Sequence, residues 1–372
     1  MPGLQTVELL THFEGVSDPR RGNARRHLLM DMIVIALCAA ICGAESWVDV
    51  ARFGREKREW FRRFLRLEHG LPSHDTFGRV FARLDTGEFL GCLQNWVASL
   101  KRSLAGEHVA LDGKTLRRSF DTAEGRPALH LVSAWASGLR LSLGHVAVDD
   151  KSNEIPAAVE LLNLLELQGA VVTLDALHCQ KETAATIRRR GADYVLSVKG
   201  NQPTLHAAVQ SLFAAHGESD FRETRRHVTL DRKRRERREY YSLQAPADLR
   251  AAWPGLQSVV MVYRQRQVGG QLRDETAYFI SSLPPKVRRL ARYVRAHWSI
   301  ENSLHWVLDV TFSEDHSRIR KGHGPEIASV FRRLALSILQ QDTSLTENLR
   351  GKRVRAGWNN ATLEGILCGK PA

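Results

Sequence analysis

Hydrophobic positions divide the chain into a helical first quarter and a longer remainder in which short strands alternate with helices. Residues 4–97 follow the helical period: Leu4–Phe13 is amphipathic, and Leu28–Cys42 is apolar on nearly every face, as in a helix at the centre of a bundle. A break at Gly70-Leu71-Pro72 precedes Ser73, which predicts an N-cap for the next helix. Two helices joined by a short Gly/Pro turn fit a DNA-binding helix-turn-helix and also plain helical packing.

From residue 107 the pattern becomes that of strands. Val109–Asp112 and Val171–Asp175 are apolar runs that each end in an aspartate, and Ser137-Gly138 predicts a hairpin turn. Uninterrupted apolar runs are typical of parallel strands that are buried on both faces. The order of elements predicts an α/β fold, a mixed sheet flanked by helices. Its further strands are expected at Ala128–Ala136, Leu139–Val148 and Tyr194–Val198, and its helices at Ile155–Leu167 and Lys181–Arg190.

The last part of the chain interrupts this alternation. Residues 220–282 combine alternating apolar segments with a strongly basic stretch, which we interpret as a β-rich insertion carrying either a phosphate-facing strip or a solvated charged face. After Pro284-Pro285 we expect a long helix over Lys286–Leu308 and a final amphipathic helix over Ile327–Leu339. The predicted domains are therefore a helical, DNA-binding domain at 1–100, an α/β domain at 101–340 that includes the insertion, and a basic tail at 341–372.

Composition narrows the class of partner. The chain has 54 Lys and Arg against 41 Asp and Glu, and the formal net charge of +13 favours a polyanion, most commonly nucleic acid. Its five cysteines are irregularly spaced without a Cys-x-x-Cys pair, which indicates a reducing compartment and no cysteine-rich zinc site. The sequence has no signal-peptide pattern and no apolar run of the ~20 residues that a bilayer requires. We therefore expect a cytoplasmic protein without a membrane partner.

Three carboxylates occupy positions that a fold could bring together. Asp112 and Asp175 end predicted strands, and Glu301 lies within the predicted long helix. Clustered carboxylates repel one another when ionised, and divalent cations between them remove that repulsion. Oxygen-only ligation favours Mg²⁺, with Mn²⁺ as the alternative, and two such ions can activate a water or a 3′-hydroxyl for displacement at a phosphodiester. This chemistry agrees with the basic charge of the chain.

Other interpretations of these residues stay open. His297, Glu301 and His305 recur at every fourth position of one helix face and could supply zinc ligands. The third acidic ligand could instead be Asp309, Glu314 or Asp315. His178-Cys179 could mark a thiol nucleophile, and any single carboxylate beside Lys or Arg could be a surface ion pair. Core packing is expected of three tryptophans that could otherwise stack on an unpaired base, Trp253, Trp298 and Trp306.

A series of motifs resembles those of bacterial insertion-sequence transposases of the DDE type, specifically the ISAs-type or H-repeat-associated group. These motifs extend over nearly the whole chain, at Leu71–Phe77, Leu111–Ser119, Asp175–Gln180, Val198–Gln202, His297–Val310 and Glu314-Asp315. The resemblance implies a ribonuclease-H-like catalytic core with a β-rich insertion before the last acidic helix. It also implies that Asp112, Asp175 and Glu301 are the catalytic, metal-binding triad.

The resemblance further implies a rim that contacts DNA or orients the carboxylates, made of Lys114, Lys199, Asn201 and Gln202. Together with the basic clusters it predicts further DNA contacts at Arg117, Arg118, Arg232, Lys233, Arg234, Arg235, Arg295, His297, Asn302 and His305. Related transposases often carry a Tyr-Arg-Glu-Lys signature. Here His297 replaces the Arg and Leu308 the Lys, which we interpret as a subtype difference. Cys179 replaces an expected Thr, and we assign it no role.

The sequence thus predicts a transposase that associates with itself on DNA. It would bind the inverted repeats of its element, cut a strand, and join the freed 3′-hydroxyl to double-stranded target DNA, with two Mg²⁺ or Mn²⁺ ions in each site. One alternative is a transposase-derived DNA-binding protein without activity. Another is a metal-dependent nuclease that cuts DNA but does not join it.

Overall fold

The computed structural model describes residues 8–100, 102–148, 153–216, 221, 226–231 and 235–368. The first described elements are all helical, as predicted. Their bounds are α1 Glu8–Thr11, α2 Leu29–Cys42, α3 Trp47–Glu56, α4 Arg58–Phe61, α5 His74–Phe81 and α6 Thr86–Ser99. The start of the predicted Leu4–Phe13 helix lies outside the described residues.

Two predicted features of these helices are confirmed. Helix α2 is buried along nearly its whole length, since its apolar side chains face neighbours on all sides. It ends at Gly43, whose left-handed φ of +109° suits a residue without a Cβ. Ser73 caps α5, because its hydroxyl accepts a hydrogen bond from the Thr76 amide at 3.3 Å.

The α/β prediction is confirmed by one mixed sheet of nine strands in the order β3-β2-β1-β4-β5-β9-β8-β7-β6. In chain order the strands are β1 His108–Thr115, β2 His130–Ala136, β3 Leu141–Val148, β4 Val171–Leu174, β5 Asp193–Val198, β6 Arg226–Asp231, β7 Glu236–Gln244, β8 Ser258–Val268 and β9 Gln271–Ser281. Strands β1, β4 and β5 are parallel to one another, and the remaining pairs are antiparallel.

Strands β6–β9 lie in the region where a β-rich insertion was expected. They are not a separate sheet, because β9 pairs with β5 from Val195↔Ser281 to Val198↔Tyr278 and so continues the first five strands. The insertion therefore doubles the width of the sheet on the side of Asp175. The remaining helices are α7 Glu154–Leu164, α8 Lys181–Arg189, α9 Pro203–Ala214, α10 Ala247–Ala252, α11 Val287–Ala296, α12 Trp306–Val310, α13 Gly324–Gln341, α14 Leu349–Trp358 and α15 Asn360–Cys368.

The predicted long helix over Lys286–Leu308 is interrupted. Helix α11 ends at Ala296, and α12 begins only at Trp306. Between them Glu301–His305 forms a π-helical turn, in which the Trp306 amide bonds to the Glu301 carbonyl five residues earlier. Such turns insert an extra residue and are frequent at functional sites.

The predicted basic tail is wrong for the described residues, since α14 and α15 occupy this part of the chain. Arg353 of α14 is buried and donates hydrogen bonds to the Ala40 and Ile41 carbonyls, at 3.2 and 3.3 Å, and to the Thr311 carbonyl. Those carbonyls lie at the ends of α2 and α12, so the terminal helices join the first and last thirds of the chain.

A continuous hydrophobic core extends from Leu9 to Leu367 and includes α2, α6, the sheet and α13. A smaller cluster lies between α11 and strands β4, β5, β7 and β8. In the part of the chain that the structure describes, no single helix is long and apolar enough to cross a membrane. Helices α2 and α3 meet that criterion only as a pair, across a bend of 97°.

Candidate active site

The strand register brings the two aspartates together. Strands β1 and β4 are parallel and pair up to Ala110↔Thr173. Asp112 and Asp175 each follow two residues later, so both carboxylates lie just beyond the shared end of the two strands. The prediction that Asp112 ends its strand is wrong. Strand β1 continues to Thr115 along its pairing with β2, where Asp112 lies opposite Ser133. Only the pairing with β4 ends before Asp112.

Glu301 joins the aspartates at one cavity of about 490 Å³. Its walls also include Lys199, His297 and Trp298, and Arg238 and Arg264 from the β6–β9 half of the sheet. Burial raises the pKa of the Asp112 carboxyl, and the charges of Asp175 and Glu301 raise it further, while His305 opposes the shift. The three acidic groups are therefore close enough to repel one another, which is the condition under which divalent cations bind between carboxylates.

The tightest group of ligand atoms contains a histidine. Carboxylate oxygens of Asp112 and Glu301 and a ring nitrogen of His305 all lie within 4.8 Å of one another. His305 Nδ1 is 3.3 Å from Glu301 Oε2 and 3.6 Å from Asp112 Oδ2. The hydrogen bond from His305 lowers the pKa of Glu301. His305 is only 3% exposed, so its predicted role as a DNA contact is wrong.

His297 lies one turn before Glu301 and has a different partner. Its Nδ1 is 2.9 Å from Thr173 Oγ1 on β4, and burial lowers its pKa. The zinc site suggested by the helical spacing is therefore not formed, since within the described ranges His297 is not grouped with Glu301 and His305. The contact with Thr173 explains this outcome, because it holds the His297 ring on the sheet.

A chain of hydrogen bonds anchors the segment before Glu301 to the sheet. Ser299 Oγ is 2.6 Å from Ser137 Oγ, which is 2.8 Å from His108 Nδ1. His108 Nε2 is in turn 2.8 Å from Thr173 Oγ1, the hydroxyl that contacts His297. Burial lowers the pKa of His108 to about 3, so the ring is neutral and can both donate and accept in this chain.

Asp175 is backed by a second group that the sequence did not reveal. His178 Nε2 lies 3.9 Å from Asp175 Oδ1 and 3.6 Å from Glu154 Oε1, and His130 Nε2 is 3.4 Å from the other Glu154 oxygen. These two neighbouring histidines lower the pKa of Glu154 to about 2. Gly113 leaves room for this carboxylate, since a Cβ there would lie 2.0 Å from Glu154 Oε1. No motif around Glu154 signalled this contact.

Lys114 is not at the rim of the site, and that prediction is wrong. It is buried, and its ammonium contacts Asp309, Glu314 at 3.2 Å and Asp315 at 3.9 Å. Burial alone would raise the pKa of Glu314, but the Arg333 guanidinium 3.2 Å away and Lys114 outweigh it and lower the pKa to about 2. Asp309, Glu314 and Asp315 are therefore occupied by cationic side chains and are not alternatives to Glu301.

The other predicted rim residues divide into two kinds. Lys199 is exposed at the cavity. Asn201 donates to the Ala176 carbonyl at 2.6 Å and Gln202 to the Cys179 carbonyl at 3.0 Å, so both amides hold the loop that follows Asp175. Cys179 is buried, and burial raises its pKa to about 12, which is the reverse of what a thiol nucleophile requires.

Most of the remaining predicted DNA contacts are on the surface. Arg117, Arg118, Arg235, Arg295 and Asn302 are exposed, although Arg117 pairs with Asp315 at 3.2 Å and Arg295 with Asp231 at 3.6 Å. Asn302 donates to the Trp298 carbonyl at 2.8 Å. Three further predicted contacts, Arg232, Lys233 and Arg234, lie outside the described residues.

The tryptophans near Glu301 also differ from expectation. Trp253 is buried as predicted, but Trp298 is 60% and Trp306 56% exposed. Their predicted core position is therefore wrong. An exposed indole beside a carboxylate cluster is available to a ligand, and Trp298 lines the cavity itself.

Two family models match most of the chain. The family model described as "DDE_Tnp_1-associated" matches residues 10–97, and the one described as "Transposase DDE domain" matches residues 104–338. The chain is 36% identical to "Putative transposase YncI" of Escherichia coli O157:H7, over 96% of this chain and 94% of that protein. It is 33% identical to "H repeat-associated putative transposase YhhI" of Escherichia coli K12, over 98% of this chain and 99% of the relative.

A structural comparison found a piggyBac transposase in a synaptic complex with hairpin DNA. The match has a TM-score of 0.40 and 10% sequence identity, and it covers 98% of this chain and 76% of the other.

Proposed function

The chain belongs to the DDE transposase family, and from this premise we propose that it cuts DNA at the ends of an insertion element and joins the freed ends to a target. The observation that carries the proposal is the meeting of Asp112, Asp175 and Glu301 at one cavity, although they are far apart in sequence. We propose that this takes place in the bacterial cytoplasm, on double-stranded DNA.

The donor set fits two hard divalent cations. Asp112 lies between Asp175 and the Glu301–His305 turn. Burial, and then the charges of Asp175 and Glu301, raise the pKa of Asp112, and a cation beside this carboxylate would stabilise its charged form. When bound, Mg²⁺ or Mn²⁺ would supply an activated water or 3′-hydroxyl and stabilise the leaving oxygen. Asp112 would contact both ions, Asp175 one and Glu301 the other.

The topology supports a ribonuclease-H-like core. Strands β1–β3 form an antiparallel meander, and β4 and β5 are added in parallel beside β1, giving the order 3-2-1-4-5. In such sheets ligands bind beyond the strand ends where the order reverses. Asp112 and Asp175 stand at this switch point, between β1 and β4.

Residues around the cavity support DNA as the substrate. Lys199 is an exposed cation on the cavity wall, and Arg117 and Arg118 are exposed cations that follow Asp112 in the chain. The exposed Trp298 offers a surface on which a base could stack. The helices of residues 8–100 would bind the element's ends, and two or more copies would assemble on them. The division into domains at 1–100 and 101–340 remains part of this proposal.

The test is cleavage and joining by the purified protein on DNA that carries the element's inverted repeats. With Mg²⁺ or Mn²⁺ we expect nicked and strand-transferred products. Asp112→Asn, Asp175→Asn and Glu301→Gln should remove both products while DNA binding is kept. Nicking that persists in Asp112→Asn would refute the site. Binding without any product from the unaltered protein would favour the silent, transposase-derived alternative, and cutting without joining would favour a nuclease.

A further inference from the structure

His305 is a buried histidine whose described surroundings leave one nitrogen facing the active site. Its Nδ1 faces the carboxylates of Glu301 and Asp112, while Nε2 is buried and makes no hydrogen bond to the described residues. A ring held this way has no structural partner other than the two acids themselves. Its orientation is therefore tied to the site, not to the packing of the helix on the sheet.

The distances fit a shared cation better than a pair of hydrogen bonds. The separation of 3.6 Å between His305 Nδ1 and Asp112 Oδ2 exceeds hydrogen-bond range, and 3.3 Å to Glu301 Oε2 is at its long end. Donors that each lie about 2.1 Å from one octahedral ion are about 3 to 4 Å apart. The distances of 3.3 and 3.6 Å from His305 Nδ1 to the Glu301 and Asp112 oxygens fall in this range, so Nδ1 is spaced from each oxygen as a neighbouring ligand of one ion would be.

The backbone provides an independent indication. The π-helical turn covers Glu301 to His305 and places both side chains on the cavity side. Such a turn weakens the regular ladder of hydrogen bonds, and it is most often kept where a functional group must be aimed. Here its two end residues are the groups that approach Asp112.

Two other histidines near the cavity have different nearest neighbours. His297 Nδ1 contacts Thr173 Oγ1 at 2.9 Å. His178 Nε2 is closer to Glu154, at 3.6 Å, than to Asp175, at 3.9 Å. His305 differs from both, since the groups nearest to its Nδ1 are two of the three carboxylates of the site.

We propose that His305 binds a divalent cation through Nδ1, together with Asp112 and Glu301. This inference rests on the proposed function and refines it: one of the two cation positions is a nitrogen–oxygen site, and the other, between Asp112 and Asp175, has only oxygen ligands. Imidazole nitrogen suits Mn²⁺ better than Mg²⁺, since Mg²⁺ strongly prefers oxygen. The mixed position should therefore select Mn²⁺.

The experiment uses the full chain with Mn²⁺ alone, without DNA. Pulsed electron paramagnetic resonance detects the magnetic coupling of bound Mn²⁺ to a directly ligating ¹⁴N, and ¹⁵N-histidine labelling identifies that nitrogen as imidazole. We expect the coupling in the unaltered protein, its loss in His305→Gln, and its retention in the matched control His297→Gln. Calorimetry should show Mn²⁺ affinity at the mixed position falling by at least about tenfold in His305→Gln, with a smaller change for Mg²⁺.

The outcomes separate this inference from the proposed function. Mn²⁺ that binds the unaltered protein, is lost in Asp112→Asn, and shows no ¹⁴N coupling would overturn the role of His305 but leave the carboxylate site intact. Coupling that survives in His305→Gln would assign the nitrogen to another histidine and overturn it as well. Mn²⁺ binding that does not depend on Asp112 would overturn both. Absence of ¹⁴N coupling from Mn²⁺ bound to the unaltered protein is by itself enough to overturn the role of His305, so that outcome does not depend on whether a variant folds.

Discussion

On the Glu301 side of the cavity, permanent charges hold strand β1 against the C-terminal helices. Lys114 follows Asp112 closely and pairs with Asp309 and Glu314, and Glu314 pairs with Arg333 of α13. On the Asp175 side the corresponding contacts are made by histidines, with His130 and His178 on either side of Glu154. Both groups are buried, so each must satisfy its charge internally.

The difference between these two groups is the kind of partner that each carboxylate has. Glu314 contacts side chains that carry a permanent cation at physiological pH, Lys114 and Arg333. Glu154 contacts two imidazole rings instead. The first group therefore fixes β1 through charge, while the second positions His178 behind Asp175. The predictions below test this contrast.

The largest effect is expected on stability, from Lys114→Met. The change removes the ammonium that the buried Glu314 shares with the half-buried Asp309, and removing one partner of a buried ion pair costs about 3–5 kcal/mol. Urea denaturation measures it. The matched control is Arg117→Gln, which removes an exposed cation from Asp315 and should cost less than about 1 kcal/mol. Equal urea midpoints for the two variants would mean that the buried Lys114 stabilises the fold no more than an exposed cation does.

A smaller effect is expected on catalysis, from Glu154→Gln. Without the Glu154 charge, His178 loses the acid beside which it is held behind Asp175. Mutation of a residue that orients a metal-binding side chain typically lowers activity by about 10- to 100-fold. The rate of strand cleavage should fall by that factor while DNA affinity is kept. Glu166→Gln is the control, since Glu166 is 93% exposed and pairs only with Arg190 among the described residues. An unchanged cleavage rate in Glu154→Gln would leave that residue a purely structural role.

The neutral His108, together with Glu154, should also make the protein less stable in acid. The pKa of His108 is about 3 in the folded protein against 6.5 ordinarily, so the unfolded chain binds a proton that the native state excludes. Above pH 6.5 neither state binds this proton, so His108 does not change the free energy of unfolding. Between pH 6.5 and 3 the free energy of unfolding falls by about 1.4 kcal/mol for each unit of pH. Glu154, with a pKa of about 2 against 4.5, adds a loss below pH 4.5. Urea unfolding between pH 7.5 and 5 should show a shallower slope in His108→Gln, and an identical slope would argue against a neutral His108.

The smallest effect is expected on DNA binding, from Lys199→Gln. Lys199 is exposed, so Lys199→Gln should weaken DNA binding and reduce the slope of log affinity against log salt by about one. Filter binding at several salt concentrations measures this slope. Lys57→Gln removes the same charge far along the chain, where Lys57 bonds to Asn360 at 2.7 Å, and serves as the control. A slope equally reduced in both variants would mean that total charge matters more than position.

The fold class, the three candidate carboxylates and the family could all be predicted from the amino-acid sequence. Helical period in the first hundred residues, apolar runs ending at Asp112 and Asp175, and the motif around Glu301 led to the α/β class, the carboxylates at one site and the transposase family. These features are local or nearly so, because strand and helix periods repeat every two or four residues and a motif is read directly from neighbouring positions. The register of β1 against β4 then follows from burying apolar runs on both faces.

What the sequence could not decide is how each polar side chain is satisfied after folding. Lys114 and Lys199 look alike in a motif, yet one is buried among three acids and the other is exposed. Glu154 and His130 acquire their partners from distant segments, and the turn that aims His305 depends on a single extra residue in a helix. Side-chain charge is paired in three dimensions, and burial sets the cost of leaving it unpaired, so only the tertiary structure assigns these roles.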